Sequence, residues 1–410
     1  MIEYEGRVTG IKGPLILASL FGVPMGSFCL IETDRGSIPG KVVGFEEEKV
    51  QIAPLGDTVG ISLLGKVTSY GLPPSIPIGE SLRGKIVDAL GNPLDGLIKE
   101  PLSSLDRPPP KVLNRKPISK MLKTGVKTID CFFPIGEGQR LAVIAPAGTG
   151  KSTLLGTLAN QVEADLVVIG LVGERGREVR EFLELTETIQ SKRVVVVATS
   201  DEAPIRRALA PFTATSIAEY FRDKGLRVLL LIDSLTRTAR AIRDVGLTAG
   251  ELPIRHGYTP SVYTELPRLL ERAGTSENGS ITAFYTLLGA DGDSEDPLSE
   301  EVKSLLDGHL LLSRKEAQRG IRPAIDPLRS LSRVTERLLP EAVAVKRNEA
   351  LKLLERLERD RDIVLFGGTP DIELKRALEL EPKISTLRNQ RLNEIVSNPW
   401  DDLERVFDPL

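Results

Sequence analysis

Lys151 and Ser152 close the run Ala145-Pro-Ala-Gly-Thr-Gly-Lys-Ser152, whose small residues let successive backbone N–H groups point at phosphate oxygens. Such a loop between an apolar strand and a helix holds a nucleotide. Lys151 is spaced to reach the β- and γ-phosphates, and the Ser152 hydroxyl to ligand Mg2+, a hard cation that prefers oxygen. The phosphate-binding set is Ala147, Gly148, Thr149, Gly150, Lys151, Ser152 and Thr153. Ala145 stands where the strict pattern has its first glycine, and alanine is small enough for the loop to form.

Two carboxylates and two arginines extend the chemistry. Glu174 lies just beyond the apolar run Leu166-Val-Val-Ile-Gly-Leu-Val172, in the crevice where open α/β sheets hold ligands. There it can orient and polarise a water in line with a γ-phosphate, while neighbouring Arg175 neutralises phosphate charge. Asp233 ends Arg227-Val-Leu-Leu-Leu-Ile-Asp233, the place of an Asp that supports Mg2+ through water; capping the next helix is its alternative role. Arg333, in Ser330-Leu-Ser-Arg333, lies far downstream. An arginine entering from a neighbouring subunit accelerates phosphoryl transfer, but sequence alone does not distinguish that role from an ordinary surface position.

The elements that must position these groups fall into three regions. Residues 1–70 alternate short β-like runs with glycine turns: Gly6–Ile11, Phe28–Glu32, Lys41–Phe45 and Lys49–Ala53 predict a small antiparallel barrel. Prolines crowd residues 71–118, which predicts an extended connection. It leads into an α/β core, the two together spanning 71–343. Its strands are predicted at Leu141–Ala145, Leu166–Leu171, Arg193–Ala198, Val228–Ile232, Ile281–Leu288 and His309–Leu312. These continuous Val/Leu/Ile runs suit parallel strands buried on both faces. From 344 to 410, Ala344–Leu357, Glu373–Leu380 and Pro382–Ile395 predict charged amphipathic helices in a separate module.

Composition narrows the chemistry further. A chain of 410 residues exceeds one typical core. A net charge of −3 offers no global basic field for nucleic acid. Cys29 and Cys131 are too far apart for metal-site spacing and suit a reducing compartment, while His256 and His309 are too few for a zinc site or a histidine-centred triad. No apolar stretch approaches the roughly 20 residues of a membrane span. The expectation is a cytoplasmic protein, peripheral to the inner membrane through partners.

Together these residues resemble the hexameric ATPase family of rotary ATP synthases and type III protein export, most closely its flagellar and injectisome branch. The similarity runs over nearly the whole chain and is most specific at Ser103–Pro110, Ala198–Glu202, Ile217–Asp223, Arg227–Arg237, Gly257–Tyr263, Leu266–Gly274, Gly279–Tyr285 and Leu306–His309. It implies an N-terminal β-barrel, a RecA-like P-loop NTPase core, a C-terminal helical domain and a homohexamer with ATP and Mg2+ between neighbours. By motif match, Lys151 and Ser152 serve phosphate and metal, Glu174 positions water, Arg175 contacts phosphate, Asp233 supports the metal, and Arg333 is a finger for the adjacent site. The implied partners are a central coiled-coil stalk, a peripheral stator, substrate–chaperone complexes and the membrane export gate.

Three departures accompany the resemblance. Arg322 precedes Pro-Ala-Ile-Asp326 where an aromatic is usual, as in non-catalytic rotary subunits. The segment Ile363–Asp371 is divergent, and its Phe366 is a candidate contact for the base, with apolar packing as the alternative. Barrel-like sequence begins by about Glu5, where export ATPases carry a helical segment that binds the stator, so conventional stator attachment is in question. A non-catalytic regulatory nucleotide-binding subunit is the alternative function. Arg322 leans toward it and Glu174 against it, because losing water activation generally removes that carboxylate. An ion-pumping catalytic subunit is disfavoured by Leu105-Asp-Arg-Pro-Pro-Pro110 and by the lack of a large insertion between barrel and core. An RNA-translocating hexamer would need clustered aromatic platforms, whereas Tyr4, Phe21, Phe28 and Phe45 are scattered, so no nucleic-acid partner is expected.

Overall fold

The computed structural model describes residues 2–289, 297–392, 394–396 and 398–408. Its first element is a closed barrel of six strands in the order Tyr4–Lys12, Leu15–Ala18, Lys49–Pro54, Gly36–Glu46, Phe28–Thr33 and Lys66–Ser69. The last strand pairs back to the first, and every pairing is antiparallel. Alternation explains the inside: Cys29 and Ile31 of one strand point inward, joined by Val8, Ile16, Val42, Ile52 and Val67. The predicted barrel holds, with Leu15–Ala18 and Lys66–Ser69 as strands beyond the four anticipated.

The central sheet is ordered Leu331–Ser332, Gly308–Leu311, Arg140–Ala145, Ser280–Leu288, Arg227–Asp233, Leu166–Val172, Arg193–Ala198 and Ile86–Val87. All are parallel except the first, which runs against Gly308–Leu311, and a short strand, Gly274–Thr275, turns back on Ser280–Leu288. Each of the six predicted core strands is present. The connection was expected to be merely extended, yet Ile86–Val87 pairs with Val195 and Val196 and so forms the sheet's edge.

Neighbouring side chains on one strand face opposite layers, and the apolar core divides accordingly. Ala142, Ile144, Leu166 and Val168 pack with the helices Pro204–Asp223, Leu235–Thr248 and Pro260–Leu270. Leu141, Val143, Val167 and Ile169 pack with Lys151–Gln161, Gly176–Leu185 and the C-terminal helices. The result is a doubly covered α/β sheet, as the continuous apolar runs require.

The C-terminal region corrects the sequence reading. Glu341–Leu365 is one helix of 25 residues, and Ile372–Arg388 runs straight through Pro382 rather than breaking there. Residues 389–392 and 394–396 are not helical, and Asn393, inside the predicted Pro382–Ile395 segment, lies outside the described residues. A further helix, Pro399–Val406, starts from an Asn398 cap that accepts a bond from the Trp400 N–H. These helices share one apolar cluster with the P-loop helix. At its margin the Gln390 side chain accepts from the Lys127 N–H at 2.9 Å and donates to the Gly125 carbonyl at 2.7 Å. Gln161, on the P-loop helix, donates to the Glu394 carbonyl at 3.2 Å.

Candidate active site

The strand Arg140–Ala145 delivers the chain into Pro146–Gly150, and the helix Lys151–Gln161 leaves it. Gly148 and Gly150 sit at φ of +79° and +90°, where side chains are strained, so glycine is required there by backbone conformation. Ala145 is absent from the positive-φ residues, which is why the missing first glycine does no harm. The Thr149 hydroxyl donates to the Pro146 carbonyl at 2.8 Å and closes the loop on itself. Gly150 caps the helix without a side chain, which leaves the first-turn N–H groups for an anion. Ala147, Gly148, Ser152 and Thr153 are exposed at this mouth. Gly156, one turn on, lets the P-loop helix approach the end of Gly176–Leu185, since a Cβ there would lie 2.1 Å from Leu185.

The adjacent strands Arg227–Asp233 and Leu166–Val172 end beside one another and supply the carboxylates that face the P-loop lysine. Lys151 Nζ lies 2.5 Å from Asp233 Oδ1 and 3.7 Å from Glu174 Oε1. Asp233 Oδ1 also accepts from the Thr286 hydroxyl at 2.6 Å. Glu174 Oε2 meets Arg237 Nη2 at 3.0 Å. The Glu174 backbone is pinned to the adjacent strand end: Gly173 N–H donates to Ala198 and Ser200 N–H to Glu174 itself, at 2.6 and 3.1 Å. Glu174 and Asp233 are buried, and Glu174 Oε1 has no hydrogen-bond partner among the described residues.

Burial pushes the Glu174 carboxyl up to about 7; the adjacent Glu178 carboxyl and the Asp233 charge add to the rise, against Lys151 and Arg237. Glu178 is held below the usual range, chiefly by Glu174. The two carboxyls oppose one another, and charge is more readily held on the exposed Glu178 than on the buried Glu174. A carboxyl balanced near neutrality with one oxygen unengaged suits taking a proton from water.

The remaining predicted residues lie elsewhere. Arg175 is exposed and forms the N-cap of Gly176–Leu185, one residue beyond Glu174. Arg333 is exposed and follows Leu331–Ser332, with its N–H on the Asp307 carbonyl at 3.0 Å. Because Ser332 pairs with Gly308, the first residue of its strand, Arg333 lies toward the amino end of the parallel strands. Lys151, Asp233 and Glu174 gather at the carboxyl end, so the fold does not bring Arg333 to the site of its own chain. Phe366 is 88% exposed at the far end of Glu341–Leu365, whose buried Val343, Ala350, Leu353 and Leu357 all precede it. It is not among the residues gathered at the P-loop.

The donors present suit a metal bound jointly with a nucleotide. Among the described residues no group of three His, Cys, Asp or Glu forms a metal cage. Ser152 offers a hydroxyl, and neither bond to Asp233 uses Oδ2. Phosphate oxygens and water would complete the octahedral oxygen set that Mg2+ demands.

Residues 125–332, just over half of the chain, match the nucleotide-binding domain of the ATP synthase alpha/beta family. The span takes in Lys151, Glu174 and Asp233 and stops one residue short of Arg333. The chain is 42% identical to the type 3 secretion system ATPase of Xanthomonas euvesicatoria, covering 97% of itself and 90% of that protein. It belongs to the protein-export ATPases of this family. The flagellum-specific ATP synthase of Bacillus subtilis is 41% identical, over 95% of this chain and 91% of its own. Among solved structures, assembled EscN from the enteropathogenic E. coli type III secretion system superposes with a TM-score of 0.92 at 38% identity, covering 98% and 99% of the two chains. EscN in complex with its central stalk EscO gives 0.90 at the same identity and coverage.

This export ATPase carries three site residues that the sequence reading did not assign. Arg237 sits one turn into the helix that Asp233 leads into, and its N–H bonds the Ser234 cap at 3.2 Å. That i+3 spacing from an N-cap was a usable signal. Glu178 lies four residues after Glu174, a helical neighbour spacing. Thr286 had no local signal, being one of four hydroxyl residues on the buried strand Ser280–Leu288.

Proposed function

We propose that this export ATPase works as a homohexameric ring in which each nucleotide site is shared by two subunits, and that ATP hydrolysis there energises the release of chaperones and the unfolding of substrates for type III export. The observation that carries the chemical half of the proposal is Glu174, buried, balanced near neutrality and holding one oxygen that, among the described residues, has no hydrogen-bond partner and only a distant ion-pair contact, 3.7 Å from the P-loop lysine. When nucleotide enters, Lys151 exchanges Asp233 for the β- and γ-phosphates, and Ala147–Thr153 provide N–H groups and hydroxyls around them. Glu174 orients a water opposite the leaving group and takes its proton as the water oxygen bonds to the γ-phosphorus and the bridge to ADP breaks. Arg175 stands one residue away to offset phosphate charge. Ser152 and Asp233 would hold Mg2+, which supplies charge neutralisation on the phosphates when bound. The position of Arg333, at the opposite end of its own sheet, supports donation to a neighbouring subunit.

The same reading divides the chain at 1–70, 71–343 and 344–410 and gives the ring a central stalk, as EscN has in EscO. A stator, substrate–chaperone complexes and the export gate complete the expected partners, with the ring in the cytoplasm against the inner membrane. The non-catalytic alternative has one observation in its favour: the Arg322 guanidinium is turned onto the carbonyls of Ala317 and Ile321, at 2.9 and 3.0 Å, rather than supplying an aromatic face.

Steady-state ATP hydrolysis measured against protein concentration, with oligomer mass recorded in parallel, tests the proposal. Turnover per subunit should climb with ring assembly and be lost in Glu174→Gln. A flat rate across the assembly range would remove the shared site, and absent turnover despite tight Mg-ATP binding would favour the non-catalytic alternative.

A further inference from the structure

Asp233 is 3% exposed, and its two side-chain hydrogen bonds among the described residues fall on the same oxygen. One partner, Lys151, belongs to the P-loop and is destined for phosphate in the function proposed above, on which this inference rests. When it leaves, a buried carboxylate loses its cation and is free to rotate. A buried charge in that position needs a hydrogen bond that stays. The other partner supplies one. Thr286 is fully buried on Ser280–Leu288, the strand that runs between those of the P-loop and Asp233.

That strand is fastened to both neighbours beyond its ladder. Leu288 N–H donates to the Thr236 hydroxyl at 2.9 Å, on the Asp233 side. Gly289 N–H donates to the Ala145 carbonyl at 3.0 Å, on the P-loop side. The Thr286 hydroxyl therefore cannot follow Lys151 when the lysine moves. Its β-branched side chain is also stiff about χ1, which keeps the donor aimed at Oδ1. With Oδ1 held by Thr286, Oδ2 is the oxygen that neither Lys151 nor Thr286 engages.

We propose that Thr286 is a positioning residue for the reaction: its hydroxyl fixes the Asp233 carboxylate through the exchange of Lys151 from aspartate to phosphate, so that Asp233 presents Oδ2 to the metal. Thr286→Val keeps the shape and removes the donor, and Thr286→Ser restores it. The readout is affinity for a fluorescent ATP analogue, titrated in EDTA and again across Mg2+ concentrations, with Asp233→Asn in parallel. A hydrogen bond to a charged group is worth roughly a tenfold change or more. Thr286→Val should bind the analogue normally in EDTA, need roughly tenfold more Mg2+ for half-maximal enhancement, and be rescued by Thr286→Ser. Wild-type Mg2+ dependence in Thr286→Val, beside a defect in Asp233→Asn, would overturn the role of Thr286 alone. A defect in Thr286→Ser as large as in Thr286→Val would likewise overturn it in favour of packing. Wild-type behaviour in Asp233→Asn would instead bring down the assignment of Asp233 and this proposal with it.

Discussion

The two ends of the central sheet are built from the same residue types and behave oppositely. At the amino end, three strands begin with arginine, at Arg140, Arg193 and Arg227. Arg140 grips both carboxylate oxygens of Asp307, and Arg227 those of Asp165. Arg272, 2% exposed, holds both oxygens of Glu219 at 3.0 and 2.7 Å and also bonds Ser216 and the Leu105 carbonyl. Every carboxylate named there is met by an arginine fork. At the carboxyl end fewer donors converge: among the described residues Lys151 and Thr286 share one oxygen of Asp233, and one oxygen of Glu174 has no hydrogen-bond donor. Saturated pairs tie the chain together, and unsaturated ones remain available for a ligand. The difference lies in how many donors converge on each carboxylate.

Substitutions at the two ends should therefore fail in different ways. The largest effect is expected from Glu174→Gln, which should lower turnover by about 10²–10⁴-fold while Mg-ATP binding and thermal stability stay near wild type. Unaltered turnover would break the contrast at once. At the other end Arg272→Ala leaves a buried Glu219 without its fork and should cost about 3–5 kcal/mol of stability in a urea titration, with turnover per folded ring preserved. A stable but inactive Arg272→Ala protein would mean that the amino end does chemistry after all.

The pH profile sharpens the comparison. Turnover should rise as Glu174 ionises through about 7, and Arg237→Gln should move that inflection upward, because Arg237 favours the charged form. Stability runs the other way. Between about 4.5 and about 7 the folded chain keeps a proton on Glu174 that the unfolded chain has released, so this group's contribution is full at low pH and is lost as pH rises through that window. Denaturant titrations of wild type and Glu174→Gln at pH 5 and 8 check the sign. The smallest effect is expected from Arg227→Ala. Its pair with Asp165 is more than a third exposed on both sides, so the cost should be about 1 kcal/mol or less, with no change in rate.

Much of this arrangement is legible in the amino-acid order. The core strands announce themselves because burial on both faces demands unbroken apolar runs, and the P-loop because phosphate binding demands small residues in series. What escapes is set by contacts distant in sequence. The Thr286 hydroxyl meets a residue 53 positions away, and nothing beside it in the chain marks it as different from its neighbours. Pro382 misleads for a different reason: apolar packing of Leu374, Ala377, Ile384 and Leu387 holds the helix together across the missing N–H. The strand Leu15–Ala18 is too short to show alternation, and it is the closure of the barrel that gives it partners. Asn398-Pro399, a cap followed by proline at the first helical position, is a signal for the last helix that the reading of the sequence did not use.

The joint between the C-terminal helices and the P-loop layer has a mechanical meaning. Its body is a continuous apolar contact, which resists separation but has little directional preference, and its margin carries amide bonds through Gln390 and Gln161 beside ion pairs of Lys127 with Glu394 and Asp402. A joint of that composition resembles a pinned bearing: the apolar face has little preference for one position, and the polar contacts decide where it rests. Displacement of the P-loop helix would then reach the long helix through the apolar cluster that both enter, and its 25 residues, roughly 37 Å at 1.5 Å each, carry a small slip to a distant tip.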